Sequence, residues 1–517
     1  MKSLYRNSLT RLGAALVTTI VFAAPLFAQK PPAPPAPPAA SAANGASCEI
    51  DNSKPQAVAR ATFSLARAQA AAKTGNPGKD LRDVVAALNA PGYKNDNPLG
   101  RAYLLGQTYI VLLEQPDVTP VMPRSALGFQ TDPSATIDLF AAADSMWSIV
   151  EASSPACSML AQSWRQQKPW LNVTNEAINA LNANKLDSAE ILAKRALILD
   201  RNAPYAYSVL ATVAKNKKDY ATASQMWKKT LETAGTDTSF ADVRERTLLD
   251  MANTAGAQIE AASPAQKKAL AREGIASWNA VLTNSSDDLQ RMAAVQQLAK
   301  LYVAAGDSLS IPKIYAPMIA EPARYGESTL MQAGVVASQF KRPDDAALLF
   351  QAVLARNPYQ RDALNNLAAS YIFLGENDKV FPIVTRLVEV DPSNPDNWML
   401  NAYAYSGLLK TNKTGKLAKQ YTDSLVYYSG KADKLPVKVS FTEFSRNAEG
   451  TTLVGSIENR GTVAKTFPLS IDFLDRAGQV LFTESVSVGP VAPKASKEFR
   501  IKSAKGGVAG YRYKPVV

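Results

Sequence analysis

The sequence predicts a multidomain protein in which an α-helical solenoid is followed by a small all-β sandwich. Two observations carry this prediction. Between Glu327 and Asn394, small, aromatic and proline residues recur at a spacing of 34. After Asp433, short runs alternate apolar and polar residues. A period of 34 suits paired helices that must stack on their neighbours to bury an apolar face, whereas a period of two is typical of strands.

The 34-residue recurrence can be followed through several units. Pro358 closes one unit and Pro392 closes the next. Residues 34 apart occupy equivalent positions in these two units. Gly334, Ala337, Ala346 and Phe350 of the first correspond to Ala368, Tyr371, Val380 and Val384 of the second. A third unit opens with Trp398, Ala402 and Tyr405. The same spacing relates Ala180, Leu186, Ala189, Ala193 and Ala196 to Ala214, Tyr220, Ala223, Trp227 and Thr230.

This pattern resembles the tetratricopeptide repeat (TPR), in which each unit is a pair of antiparallel helices. The resemblance implies a TPR-type solenoid whose concave inner face, formed by the first helix of each pair, binds a partner. For each inner-face residue, packing between repeats is the alternative to ligand contact. Carried through the register, the expected partner-binding residues are Tyr205, Ser208, Thr212, Lys215, Asn216, Met331, Asn365, Phe373, Met399 and Tyr403.

The first 28 residues have the composition of a secretory signal peptide. Lys2, Arg6 and Arg11 precede the apolar run from Leu12 to Phe27, and Ala28 offers a small residue for cleavage. We expect an exported, periplasmic or secreted protein, with an uncleaved N-terminal anchor as the alternative. Residues 29–47 are rich in proline and alanine, which predicts an extended linker. No later stretch is apolar enough to span a membrane, so the mature chain is expected to lack a transmembrane segment.

Three folded regions are expected after the linker. Residues 48–167 form an N-terminal helical block, residues 168–432 form TPR-like repeats, and residues 433–517 form the sandwich. The block contains an insertion loop at 115–134, whose Arg124 and Phe129 suit either a surface loop or a binding element. The sandwich resembles the immunoglobulin-like modules of exported bacterial proteins. It would bind a partner or cap the last repeat.

The two cysteines are interpreted through the predicted export. An oxidising compartment favours disulfides, so a Cys48–Cys157 bond is expected, with two separate thiols as the alternative. Closing a loop of about 100 residues would stabilise the fold by roughly 4–5 kcal/mol in the chain-entropy model.

Composition argues against common kinds of catalysis. The chain has no histidine, which excludes Ser-His and Cys-His nucleophilic systems and imidazole metal sites. Ser310 and Lys313 match S-x-x-K, but Pro312 would disrupt the helical turn that such a pair needs. No catalytic residue, metal site or cofactor is therefore expected.

The sequence thus predicts a non-catalytic protein–protein interaction scaffold of the bacterial cell envelope. A protein or peptide partner would bind in the concave groove of the TPR array. The net charge of +12 leaves an alternative, binding of an envelope glycan or acidic polymer through the sandwich and the basic surface. Nucleic acid is not expected as a partner because the chain carries an export signal.

Overall fold

The computed structural model describes residues 47–71, 78–447 and 450–517. The chain divides into two compact units, one ending at Thr254 and the other beginning at Ala255. The signal peptide expected at 1–28 lies outside the described residues, as does the proline-rich linker up to residue 46.

The unit that ends at Thr254 consists mainly of helices. Prolines begin several of them, where the missing amide hydrogen has no helical partner to lose. A short antiparallel pair of strands, β1 (Val121–Pro123) and β2 (Thr136–Asp138), interrupts the helices. The helices are α1 (Gln56–Ala71), α2 (Gly78–Leu88), α3 (Pro98–Leu113), α4 (Leu139–Glu151), α5 (Pro155–Arg165), α6 (Lys168–Asn182), α7 (Leu186–Leu199), α8 (Pro204–Asn216), α9 (Tyr220–Ala234) and α10 (Ala241–Ala261), which runs past the division.

A disulfide closes the N-terminal part of this unit. Cys48 and Cys157 are bonded, with the sulfur atoms 1.97 Å apart, which confirms the predicted pair. Cys157 is buried in α5, where its amide donates to the side chain of Ser154, the N-cap residue. The bond therefore ties the segment before α1 to the fifth helix.

The unit that begins at Ala255 continues with helical hairpins and ends in two β-sheets. After α10 its helices are α11 (Pro264–Asn284), α12 (Asp288–Ala305), α13 (Pro312–Ala320), α14 (Glu327–Gln339), α15 (Pro343–Arg356), α16 (Arg361–Leu374), α17 (Val380–Val390), α18 (Pro395–Thr411) and α19 (Gly415–Asp433). The pairs α14–α15, α16–α17 and α18–α19 are the three 34-residue repeats that the sequence predicts, and successive pairs contact each other.

A small residue recurs on the first helix of several hairpins, 16 positions before a residue on the second helix, and both residues are buried in each case. The glycine among them allows the closest approach, since a Cβ at Gly334 would lie 2.5 Å from the Phe350 ring, as expected for a densely packed interior. The pairs are Gly334 and Phe350, Ala368 and Val384, Ala402 and Ala418, and, in the other unit, Ala211 and Trp227.

The hairpin of α3 and α4 has the same contact across a longer connection. A Cβ added to Gly106 would lie 2.8 Å from the Trp147 ring, so the two helices meet there as closely as backbone and indole allow. The separation is 41 residues instead of 16, because residues 114–138 intervene, including β1 and β2. The expected insertion therefore lies within one helical hairpin.

Substituting Gly334 with alanine tests this packing. A Cβ at residue 334 would lie 2.5 Å from Cε1 of Phe350. Alanine favours helix by about 1 kcal/mol over glycine, but overpacking typically costs roughly 1–3 kcal/mol. We therefore expect a net loss of up to about 2 kcal/mol in the free energy of unfolding, measured by chemical denaturation. In a Phe350→Val background the same substitution should stabilise, and an equal loss in both backgrounds would contradict the account.

Six strands form two antiparallel sheets around one core. They are β3 (Val437–Asn447), β4 (Gly450–Asn459), β5 (Lys465–Leu474), β6 (Val480–Val491), β7 (Ser496–Ser503) and β8 (Gly510–Tyr513). The sheets have the orders β3-β4-β7 and β6-β5-β8. The predicted alternation holds along β5, where Phe467, Leu469, Ile471 and Phe473 are buried and pack with Val439 and Leu453 of the other sheet. The chain therefore has the predicted fold class, a TPR-type helical solenoid followed by a small all-β sandwich.

The turns between repeats hold the sandwich. Asn357 and Asp391 lie 34 residues apart, directly after α15 and α17, and both are buried. The Asn357 amide group donates to the carbonyl oxygen of Ala509 at 2.8 Å. The Tyr513 hydroxyl donates to Asp391 Oδ1 at 2.5 Å. The same position in two consecutive repeats is thus bonded to the same end of the sandwich.

Ser393 adds further bonds at the second of these turns. Its carbonyl oxygen accepts from the amide of Val439 at 3.0 Å, and its hydroxyl accepts from the amide of Val516 at 2.9 Å. Its own amide donates to the Tyr513 hydroxyl at 3.2 Å. Because these groups are buried, each bond satisfies an atom that would otherwise be desolvated without a partner.

Candidate partner-binding face

Three rows of side chains run across the first helices α14, α16 and α18. We call these eight positions the inner face. None of them is buried, although the residues around them on the same helices mostly are. They are Met331, Asn365 and Met399 in the first row, Val335, Ala369 and Tyr403 in the second, and Gln339 and Phe373 in the third, which ends there because a side chain at Gly407 would meet Asn377.

The rows are continuous because the first helices contact one another. α14 contacts α16, and α16 contacts α18. Between the last two helices, Asn365 Nδ2 donates to Asn397 Oδ1 at 3.3 Å. Asn397 in turn donates to Asp391 at 2.9 Å, so the polar position of the first row is connected to the turn that holds the sandwich. A segment lying on this face would meet three successive repeats.

The inner face has an aromatic end. Phe373 is 57% exposed and Tyr403 is 37% exposed, which is unusual for rings on a packed helical array. In the register, Tyr403 is level with Ala369, and Phe373 lies one turn beyond Ala369 on the same helix. Burying one such side chain stabilises a complex by roughly 1.5–3 kcal/mol, so this end can supply much of the affinity for a partner.

Methionines and an asparagine accompany the aromatic end. Met331 and Met399 occupy the first row and are half-buried, as is Asn365 between them. Methionine adapts its shape to different apolar partners, and the asparagine offers hydrogen bonds that fix a segment's position.

The expected residues of α8 lie in the other unit and have a different environment. Tyr205 and Thr212 are buried there, Ser208 is half-buried and Asn216 is exposed. The Tyr205 hydroxyl donates to Asp242 at 3.1 Å, and its ring meets that of Phe240 edge-on. Burial, followed by the Asp242 charge, raises the pKa of Tyr205. Tyr205 and Thr212 therefore have little exposed surface with which to contact a partner.

Lys215 is also engaged within its unit. Its ammonium group lies 3.3 Å from Asp250 Oδ1 on α10, and the side chain is about one-quarter exposed. This carboxylate offsets the lysine's charge, which weakens its ability to attract an anionic partner. Of the five residues expected on α8, Asn216 remains the most accessible.

An aromatic cluster on the last hairpin was missed by the sequence analysis. The rings of Tyr405 and Tyr428 stack with centroids 5.9 Å apart, and Trp398 stacks on Tyr428 at 6.4 Å. Lys431 Nζ lies 3.8 Å from the Trp398 ring centroid. The three-residue spacing of Tyr428 and Lys431 places both on one side of a helix, which was the available signal. It does not show that the rings of Trp398 and Tyr405 on the other helix contact them.

Within the described residues, no group of three or more cysteine, aspartate or glutamate side chains is arranged to hold a metal ion. No protein-family model and no curated protein matches the sequence.

Solved structures with some likeness to this chain include the following three proteins. MamA protein is 15% identical over 45% of this chain and 94% of its own, with a TM-score of 0.21. A tetratricopeptide repeat protein from Parabacteroides merdae is 14% identical over 50% and 98%, with a TM-score of 0.24. YrrB, described as a TPR protein with an unusual peptide-binding site, is 17% identical over 48% and 96%, with a TM-score of 0.21. TM-scores this low carry no argument about function.

Proposed function

We propose that this protein is a non-catalytic protein–protein interaction scaffold that binds a partner segment along the inner face of α14, α16 and α18. The observation that carries the proposal is the exposure of Phe373 and Tyr403 on neighbouring first helices. Exposed rings on one face, flanked by adaptable methionines, favour recognition of an apolar segment. The complete absence of histidine supports a binding function over the commonest kinds of nucleophilic catalysis.

The partner segment is a peptide or helix with apolar side chains at intervals matching the rows. Burial against Phe373, Tyr403 and Met399 supplies affinity, and the Asn365 amide and Gln339 position the segment by hydrogen bonds. Because the first helices are held by their own packing, the face is formed before the partner arrives. Little ordering of the scaffold is then needed on binding.

We assign the scaffold to the cell envelope of a bacterium, as an exported protein. The charged start, apolar run and small cleavage residue of positions 1–28 support export. The Cys48–Cys157 bond supports it independently, because disulfides persist in oxidising compartments. Each helix within the described residues is too short or too polar to cross a membrane.

Removing the aromatic end should reduce partner binding. We expect the Phe373→Ala, Tyr403→Ala double variant to lose at least tenfold in the amount of partner recovered with the purified protein from envelope extracts. Both side chains are exposed, so the variant should unfold at the wild-type denaturant concentration. Recovery is measured by quantitative mass spectrometry of proteins retained at equal bait concentration.

Leu348→Ala is the matched control. Leu348 is 49% exposed but lies on α15, a second helix, in the same array. Its substitution removes a comparable exposed apolar side chain outside the inner face and should leave recovery unchanged. Equal losses in the control and the double variant, or unchanged recovery in both, would reject the inner face as the binding surface.

The charge distribution on the sandwich argues against the polymer-binding alternative. On the outer side of β7, Arg500 and Lys502 lie beside Glu498. Arg500 also lies 3.6 Å from Glu443 of β3. These carboxylates break up a basic strip that an acidic polymer would follow. Salt-sensitive sedimentation of the full chain with isolated cell wall, unaffected by the Phe373 and Tyr403 substitutions, would favour this alternative.

A further inference from the structure

The insertion between α3 and α4 has a defined fold. β1 and β2 pair antiparallel, with Met122 opposite Ile137. Between the strands, the amide of Arg124 donates to the carbonyl oxygen of Ala135 at 2.8 Å. Leu127 is buried in the core of the unit, and Phe129 is almost buried. Side chains from this segment are therefore held in fixed positions against the helices.

The insertion, helices α3 and α4 and Asn89, which directly follows α2, line an open cavity of about 260 Å³. This is slightly below the range of roughly 300–1,000 Å³ typical of small-molecule sites. One part of its wall is apolar and the other is polar. The lining residues are Leu105, Phe129, Ile137, Ala142 and Met146 on the apolar part, and Asn89, Arg101, Tyr109, Arg124, Thr136 and Ser145 on the polar part.

The cavity wall is positively charged. Arg101 and Arg124 both line it, and no lining residue is acidic. Within the described residues Arg124 pairs with the carboxylate of Asp132, at 4.0 Å, and that aspartate side chain is 76% exposed. An ion pair at that distance and exposure contributes little, so most of the Arg124 charge is available to a ligand.

Arg101 is held in place by bonds that leave part of it unused. Its Nε donates to the carbonyl oxygen of Leu88 at 2.9 Å, and its Nη2 donates to Asn89 Oδ1 at 2.6 Å. These bonds fix the guanidinium plane while the hydrogens of Nη1 remain for another acceptor. The guanidinium of Arg124 lies over the Phe129 ring at 4.5 Å, which fixes its orientation too.

Tyr109 adds a hydroxyl to the same part of the wall. Burial raises the pKa of Tyr109 to about 12, and the charges of Arg101 and Arg124 act against that rise. The hydroxyl therefore remains protonated at neutral pH. A protonated phenol can donate a hydrogen bond to the same anion that the arginines attract.

We propose that this cavity binds a small monocarboxylic acid with a short aliphatic or aromatic body. The carboxylate accepts hydrogen bonds from Arg101, Arg124 and Tyr109, in the planar geometry that guanidinium groups favour. The body of the ligand packs against Phe129, Ile137 and Met146. A bare inorganic anion would leave the apolar part of the wall unfilled. The site is independent of the inner face.

Calorimetric titration of the full chain with phenylacetate and with 4-methylpentanoate tests the proposal. At least one of these acids should bind with one-to-one stoichiometry, and phenylacetamide, which lacks the charge, should bind at least tenfold more weakly than phenylacetate. Arg124→Gln should weaken binding at least tenfold, and Arg124→Lys should weaken it less. Arg60→Gln, an exposed substitution on α1 away from the cavity, should change nothing.

Three outcomes would overturn the proposal. The first is the absence of saturable binding by both acids up to about 10 mM, where any remaining affinity is weaker than millimolar. The second is binding that survives Arg124→Gln unchanged, and the third is inorganic phosphate binding as tightly as the better acid. Thermal unfolding of Arg124→Gln without ligand separates lost binding from lost structure. The variant should unfold close to the wild type, because Arg124 contributes only a long ion pair with exposed Asp132 and one contact with the Phe129 ring.

Discussion

Replacing Cys48 and Cys157 together with alanine is expected to lower the free energy of unfolding of residues 47–254 by roughly 4–5 kcal/mol. The bond joins residues 109 positions apart, so its removal greatly increases the freedom of the unfolded chain. Cys157 is also buried, and alanine leaves its sulfur's volume unfilled. Guanidinium denaturation followed by circular dichroism, fitted with one transition for each unit, measures the change.

Reduced wild-type protein is the control for this experiment. With the bond reduced and the thiols alkylated, it should unfold close to the denaturant concentration of the double variant. The transition of residues 255–517 should move little, because the cysteines lie in the other unit. Two reactive thiols in denatured, unreduced protein would refute the bond itself.

Replacing Asp391 with alanine is expected to destabilise the unit beginning at Ala255 by roughly 3–5 kcal/mol. The carboxylate is buried and accepts from the Tyr513 hydroxyl at 2.5 Å and from Asn397 Nδ2 at 2.9 Å. The guanidinium of Arg361 lies 3.7 Å away and would lose a buried counter-charge. Because the buried Tyr513 hydroxyl loses its acceptor and Arg361 keeps only the carboxylate of Asp362, the loss exceeds that of one hydrogen bond.

Asp396→Ala provides a matched comparison. Asp396 lies five residues further along, is paired with Lys438 at 2.6 Å, and is two-thirds exposed. Its substitution should cost less than about 1 kcal/mol, because exposed ion pairs contribute little. If Asp391→Ala and Asp396→Ala lowered the free energy of unfolding equally, the claim that the buried turn at Asp391 holds the sandwich would be wrong. Tyr513→Phe should give an intermediate loss.

The repeat architecture could be predicted because it depends on the spacing of small and large residues along the chain. Small residues such as Gly334 and Ala368 must recur where helices cross, and Phe350 must follow where the space is largest. The strands could be predicted from their alternation in the same way. The bonds that dock the sandwich could not, because Asp391 and Tyr513 are 122 residues apart and no local pattern pairs them.

The candidate site was predictable in position but not in exposure. The register places Phe373 and Tyr403 on first helices correctly, and both prove accessible. It places Tyr205 and Thr212 on the equivalent side of α8, where they are buried. Tyr205 is covered by residues from α10, including Asp242, and the repeat period is lost in that stretch of the sequence. Exposure depends on such neighbours, which the register does not specify.

The central claim, that a partner lies on the inner face, can be tested most directly by photo-cross-linking in the native cell. A photoreactive amino acid is placed at residue 373 on α16 or at residue 348 on α15, and adducts are identified after illumination. The account predicts a discrete protein adduct from residue 373 that is absent from residue 348. No adduct from residue 373, or the same adduct in equal yield from residue 348, would contradict it.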